Sequence, residues 1–438
     1  MLGNASLLGV LQHPAYRRLF AAQVVSLLGT GLASVALGLL VFELGGANAG
    51  VILGTVLAIK IIAYVTIAPV AEALLGNLPR RTVLVLLDLV RAGFVLALPW
   101  VTEIWQIYLL IFLLQAASAG FTPLFQAAIP DLLKNEEAYT KALSLSRLAC
   151  DLETLLSPVL ALLLLAVVTW QGLYAGTFCG FLASAALVCT VNLPFSKKTP
   201  LPFQKRVTRG MQIYLATPRL QGGLILHGAV AAAGAMVFVN TVVLVQGHFG
   251  LNERDTALTL AAFGVGSMLV AVVSPKLLER CSERNLMLMG SLMLVISLGM
   301  STSIEKWSEL LPIWMVLGFG YSMIHVPMGR LLTRSAHTED RPALFAAHFS
   351  LSHACWLIAY PTVGWLGANL ELSLTFGILA LGCLLGFLLA CRAWPKIDPM
   401  DLEHRHDDLS SDHPHLSGKN VHFHPFVIDD LHPQWPKR

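Results

Sequence analysis

The chain reads as a succession of apolar runs, each about as long as a bilayer core is thick. A spanning helix takes about 20 mostly apolar residues. Runs of that kind fall near 17–43, 49–74, 82–101, 105–128, 142–168 and 171–193, and again near 219–247, 254–279, 285–303, 308–333, 343–368 and 372–393. Backbone polar groups in lipid are satisfied only inside a helix or a closed barrel. The runs therefore predict an all-α polytopic membrane protein of twelve transmembrane helices in two six-helix bundles. Of the 438 residues 56% are hydrophobic and 13% charged, against about 25% charged in soluble domains. That balance excludes a soluble enzyme, a disordered chain and a collagen-like fibre. The seven cysteines include no C-x-x-C pair, so neither a disulfide framework nor a zinc knuckle is expected. Arg17 and Arg18 lead into a first run too long for a signal-peptide core, so no cleaved leader is expected.

The basic residues orient the runs. Arg17, Arg18, Arg80, Arg81, Lys134, Lys141, Lys197, Lys198, Lys205, Arg206, Arg209, Arg219, Lys276, Arg280, Arg284, Arg330, Arg334 and Arg341 fall at the N-terminus and in alternate loops, and only Arg254 and Lys306 in the others. Eighteen against two is a positive-inside bias that predicts both termini in the cytoplasm. The polar stretch 195–218 holds three prolines and five of those basic residues, so it reads as a cytoplasmic linker between an N-terminal bundle, 1–194, and a C-terminal bundle, 219–394. Leu75-Gly76-Asn77-Leu78-Pro79-Arg80-Arg81 and Leu278-Glu279-Arg280-Cys281-Ser282-Glu283-Arg284 occupy matching places in the halves, as an internal duplication would leave.

These two segments resemble the cytoplasmic loop motif of the major facilitator superfamily: small residue, Asp, Arg, any residue, Gly or Pro, then two basic residues. Pro79, Arg80 and Arg81 match in the first, where Gly76 and Asn77 replace the Asp and Arg; in the second Glu279 and Arg280 replace the Asp-Arg pair and Arg284 closes the motif. The first loop therefore departs from the family's charge gate. Narrower stretches resemble the nickel-resistance exporters of that superfamily: Leu19–Val24, Ala58–Tyr64, Leu87–Ala92 and Thr140–Ala149, together with the histidine-bearing tail. The siderophore-exporter and drug-efflux branches lie close by. The resemblance implies that the first and fourth helix of each half line a central cavity.

Ionisable groups inside a bilayer are costly and mark function by default. Lys60 lies mid-run among Ile59, Ile61 and Ile62, and either snorkels or pairs. Asp88 and Arg91 are three apart and can pair on one helical face. Ser144, Arg147, Asp151 and Thr154 form one stripe with Glu153 beside it; Arg147 and Asp151 are an i,i+4 pair, and Asp151 and Glu153 are the candidates for proton coupling or gating. Gln115, Ser118, Thr122 and Gln126 form a second stripe, with Gln115 and Thr122 expected in the cavity. His227, Asn240 and His325 are expected there too, with Met323, Met328, His348 and His353 nearby. Ordinary interhelical hydrogen bonding is the plain alternative for each of these.

The composition changes after Lys396. His404, His406, His413, His415, His422, His424 and His432 are half of all 14 histidines, and eight acids sit among them. Three H-x-H pairs put both rings on one side of an extended chain, a pattern able to gather a borderline divalent cation. Phe423, Phe426, Val427, Ile428, Leu431 and Trp435 predict that the end of this tail, 395–438, docks on the membrane or on the bundle. The expectation is an inner-membrane, proton-driven exporter of a divalent metal, nickel first, acting as a monomer in the lipid bilayer without resident cofactor or nucleic-acid partner. Export of a siderophore or hydrophobic drug is the alternative, and a membrane-embedded metal sensor or scaffold a further one. No nucleophile elbow, phosphate loop or zinc-protease motif suggests an enzyme.

Overall fold

The computed structural model describes residues 6–46, 49–194, 202–398, 401–405 and 421–436. Among these residues thirteen α-helices follow one another: α1 (Pro14–Gly45), α2 (Ala49–Leu75), α3 (Arg80–Ala97), α4 (Ile104–Leu132), α5 (Glu136–Leu165), α6 (Trp170–Cys189), α7 (Phe203–Ala216), α8 (Pro218–Ala235), α9 (Glu253–Arg280), α10 (Glu283–Met300), α11 (Trp307–Arg334), α12 (Arg341–Asn369) and α13 (Leu372–Ala393). Among the described residues, eleven helical segments are long and apolar enough to cross a membrane. The 30-residue α5 completes the set, with Arg147, Asp151 and Glu153 in its middle, packed on α1, α9 and α11.

Helix limits differ from the apolar runs where polar residues cap or extend a helix. Asn135 accepts from the Ala138 amide, so α5 starts six residues before its run. α4 continues to Leu132 through Pro123 and Pro130. The seventh run is not one regular helix: α8 passes into π-helical stretches at Met236–Asn240 and Val243–His248.

α1–α6 pack together around Leu32, Ile107 and Tyr174 and, lower down, Tyr16, Leu84 and Phe125. α8–α13 pack around Val230, Trp314, Leu344 and Phe376. Close helix approach in the second half depends on small residues. A Cβ on Gly266 would lie 2.0 Å from the Met315 carbonyl oxygen, and one on Gly318 would lie 2.0 Å from that of Phe263. Ala68, Ala119 and Phe349 form a small apolar contact between the halves.

The end of the bundle that holds Arg80, Arg330, Arg334 and Arg341, the basic face, is closed by ion pairs. Asp131 takes Arg80 of its own half and, at 3.1 Å, Arg341 of the other. Glu283 takes Arg330 at 3.0 Å and Arg334 at 3.1 Å, while Arg330 also reaches across to Glu136. The Tyr139 hydroxyl donates to the Gly329 carbonyl at 3.1 Å. A charged closure thus exists, built from helix ends rather than from Gly76 and Asn77.

The linker contains a helix. In α7 the buried residues are Gly210, Ile213 and Tyr214, and the helix packs on α12 and on α2 of the opposite half. Gly210 permits this, since a Cβ there would lie 2.0 Å from the Ala343 carbonyl oxygen. The tail forms an antiparallel pair, β1 (Asp401–Arg405) with β2 (Val421–Pro425), in which His404 faces His422 in register. Phe426, Val427 and Ile428 are buried, Phe426 and Ile428 within the core of the second half, so the bundle is the surface on which the tail docks. Arg209 joins Asp340 at 3.1 Å and the tail's Asp430 at 2.8 Å.

Candidate transport cavity

A cavity of about 210 Å³ opens between α1, α2, α3 and α4. Gln115, Ser118, Thr122 and Gln126, aligned along one side of α4 by their helical spacing, line it together with Gln23 and Thr30 of α1. Lys60 also lines it, one turn before Tyr64; its ammonium lies 5.7 Å from the Tyr64 ring centre. The Tyr64 hydroxyl donates to Gln115 Oε1 at 2.9 Å, fixing both side chains at the wall. Arg91 pairs with Asp88, and its guanidinium stacks 3.9 Å from the Phe121 ring centre and 4.5 Å from that of Phe181. Asp88 points away from the cavity and accepts from Ser184 at 2.8 Å. The lining therefore presents two cationic groups, amides, hydroxyls and aromatic faces. Among the described residues it contains no carboxylate, and none lies within ion-pair distance of Lys60.

A second cavity of about 180 Å³ lies between the halves and shares Gln23, Gln126 and Cys150 with the first. Arg147, His325, Met328 and His348 line it. Arg147 pairs with Asp151 as expected from their spacing, and its guanidinium sits 4.8 Å from the Tyr321 ring centre of α11. Asp151 accepts from Ser267 of α9 at 2.7 Å, so this pair ties the halves together at mid-membrane. Glu153 faces α1 beside Gly31, on another side of α5.

Three histidines meet in the second half. The His227 ring centre is 4.9 Å from those of both His325 and His348, nearly perpendicular to each. His348 Nδ1 lies 3.1 Å from the Tyr214 hydroxyl of α7. His353 sits apart, against Phe349 and Tyr64. His227 touches the cavity histidines but lines neither cavity. Asn240 is buried at the π-helical stretch, where its amide donates to the Val363 carbonyl at 3.2 Å, and it also lines neither cavity.

Of the tail histidines, His406, His413 and His415 lie outside the described residues, as do the side chains of His404 and His422. His432 is buried, with Nδ1 2.7 Å from Asp429 Oδ1; the His424 ring meets it edge-on, with ring centres 5.2 Å apart. His337, in the turn before α12, meets the other Asp429 oxygen at 3.3 Å. Its hydrogen bond to Asp429 raises the His337 pKa above the ordinary value. Burial alone would raise the Asp429 carboxyl, but hydrogen bonds from His337 and His432 outweigh it and hold that group well below the usual carboxylate range. No group of three or more His, Cys, Asp or Glu arranged for a metal occurs among the described residues.

Reasoning from the sequence missed Tyr214, Tyr321 and the closing residues Asp131, Glu283, Arg330 and Arg341. The last four stand at or near helix ends, where charge is unremarkable, and their partners are distant in sequence.

Residues 19–275 and 224–411 match the Major Facilitator Superfamily. An uncharacterized MFS-type transporter of Bacillus subtilis, YfiS, is 23% identical, with 86% of this chain and 93% of that protein covered. The enterobactin exporter EntS of Shigella boydii is 28% identical over 69% of this chain and 73% of its own length. Among solved structures, the human organic anion transporter MFSD10 (TETRAN) superposes with a TM-score of 0.75 at 13% identity, covering 86% of this chain and 98% of that one. The Escherichia coli fucose:proton symporter FucP gives 0.68 at 12%, covering 87% and 98%. The chain is a multi-pass membrane transporter and belongs to the Major Facilitator Superfamily.

Proposed function

We propose that the chain is an inner-membrane exporter of a small acidic organic molecule of the siderophore class, moved outward in exchange for protons, with the basic face in the cytoplasm. The observation that carries this is Lys60 beside Arg91 in a cavity whose described lining holds no carboxylate. Asp88 already balances Arg91, whereas Lys60 has no such partner among the described residues. At roughly 8 Å and an effective dielectric constant near 20, one ammonium repels a bare divalent cation by about 4 kcal/mol and attracts a singly charged anion by about 2 kcal/mol. The stacked aromatic walls and the amide stripe suit a flat, hydrogen-bonding organic molecule. Outward movement of an anion is further assisted by an inside-negative potential, at about 2.3 kcal/mol per charge per 100 mV. The similarity to proteins named as enterobactin exporters supports the same cargo class.

Nickel or another divalent metal as cargo draws its support from the tail histidines and not from the cavity. A pure sensor or scaffold has no use for two cavities that share Gln23, Gln126 and Cys150, one of them between the halves. Inverted membrane vesicles under an imposed proton gradient separate these readings, with a catecholate siderophore and with nickel, cobalt and zinc ions offered in turn. Siderophore flux is expected, and Lys60→Gln is expected to lower it about tenfold, which corresponds to about 1.4 kcal/mol, while Lys60→Arg retains most of it. Gradient-dependent flux of a bare metal ion without siderophore flux would overturn the proposal.

A further inference from the structure

We propose that His348, His227 and His325 form a buried imidazole row that carries the exchanged proton, with the Tyr214 hydroxyl linking it to the basic face and His325 the position where proton and cargo exclude one another. This rests on the reading of the chain as a proton-coupled exporter and names the residues that would hold the proton.

The rings touch in sequence. From the Tyr214 hydroxyl to His348 Nδ1 is 3.1 Å, and the ring centres then step 4.9 Å to His227 and 4.9 Å to His325. The Tyr321 ring centre lies 4.5 Å from that of His325, and the Arg147 guanidinium lies 4.8 Å from the Tyr321 ring centre. His227 and His325 stand nine residues, and His348 seven, from the basic-face ends of their helices, about 10–14 Å into the bundle at 1.5 Å per residue. The row thus runs from the linker helix to the Arg147–Asp151 pair.

The bonding at each ring defines its open atom. A carbonyl only accepts, so His227 Nδ1 donates its hydrogen to the Gly223 oxygen at 2.9 Å. In the neutral ring this leaves the lone pair on Nε2, and that buried atom has no hydrogen-bond partner among the described residues. His325 Nε2 is likewise buried and without one. An apolar side chain would fill either position without stranding a polar atom. Imidazole is the side chain that ordinarily titrates between pH 5 and 8. Like charges about 5 Å apart repel strongly in such surroundings, so the row holds one proton at a time.

The groups facing the row are Arg147, Asp151 and Cys150 from α5, Tyr321 from α11, Tyr214 from α7, and Cys355 and His353 on α12, with Lys60 of α2 beyond His353. α10 and α13 approach α8 with Met287 and Cys383. His325 also lines the second cavity. Its lone pair can hold a proton or accept a hydrogen bond from a phenolic or hydroxamic hydroxyl of the cargo, but not both. Each transfer along the row moves one proton from one nitrogen to the next and no electrons.

The full-length chain in detergent micelles, taken from pH 8 to pH 5 with an indicator dye, tests the row directly. The triple variant His227→Gln/His325→Gln/His348→Gln is expected to take up about one proton fewer than the unaltered chain. A difference of zero, as for purely packed histidines, or of three, as for independent ones, would overturn the proposal. So would stoichiometric nickel binding that the triple variant abolishes, since the row would then be a metal site. In proteoliposomes with a catecholate siderophore, His227→Gln is expected to lose gradient-driven flux about tenfold or more while keeping siderophore exchange at equal pH. Loss of both overturns the proposal. Tyr214→Phe keeps the ring and removes only the hydroxyl; should the glutamine variants misfold, the same selective loss is expected there. If the unaltered chain moves no siderophore, the cargo reading falls, while the proton count still decides the row.

Discussion

The two halves share a topology and differ in how they hold polar groups inside the membrane. In α1–α6 buried polarity is fixed as charge: Asp88 with Arg91, Arg147 with Asp151, and Lys60 against its cavity. Midway along α8, α11 and α12 it is carried instead by three imidazoles that touch in sequence, the buried charges Arg219 and Glu283 lying at helix ends. A permanent ion needs its partner at all times, whereas an imidazole can gain and lose charge without a resident counter-ion. The first half is thereby suited to recognising a charged molecule and the second to holding a transient proton.

Removing a fixed charge should hurt most. Asp88→Asn strands the buried Arg91 guanidinium and is expected to cost about 3–5 kcal/mol, read as a drop in the thermal midpoint of the detergent-solubilised chain. Asp88→Leu with Arg91→Met should recover most of that loss. The linker comes next: Gly210→Leu drives a side chain into the Ala343 carbonyl and is expected to cost about 1–3 kcal/mol. Faster proteolytic cutting between residues 202 and 217 would report it. His227→Gln should change the thermal midpoint little, by less than about 1 kcal/mol equivalent. If it matched Asp88→Asn, the contrast between the halves would fail.

The smallest effect concerns the docked tail. Asp429, with its pKa depressed, stabilises docking above the ordinary carboxylate range and loses that contribution as pH falls. His337, with its pKa raised, stabilises docking below the ordinary imidazole value and loses it as pH rises. Tail protection in hydrogen exchange should therefore be greatest from about pH 4 to about pH 6.5 and weaken modestly on either side. His337 is half-exposed, and solvent screens its share.

Much of this architecture was legible in the sequence because it is periodic or local. Asp88 with Arg91 and Arg147 with Asp151 follow from helical spacing alone, as does the alignment of the amide stripe along one side of α4. Asp131 with Arg341 does not, because 210 residues separate the partners and only packing of the halves brings them together. The meeting of His227, His325 and His348 is equally a product of three helices converging. The seventh run hid its π-helical stretches, since apolar length says nothing about winding. α7 was obscured by the basic character of its stretch, although Ile213 and Tyr214 mark its apolar side. Docking of the tail was expected from Phe426, Val427 and Ile428, but its place depends on Arg209 and His337, which no local pattern connects to it.

The winding of α7 also determines how much slack lies between the halves. Its 14 residues span about 21 Å as a helix and could reach about 49 Å if drawn out. Seated on α2 and α12 at once, the wound segment is a short tether whose length is set by its own hydrogen bonds. Each residue of α7 that stays wound keeps its share of that connection about 2 Å shorter than the drawn-out chain.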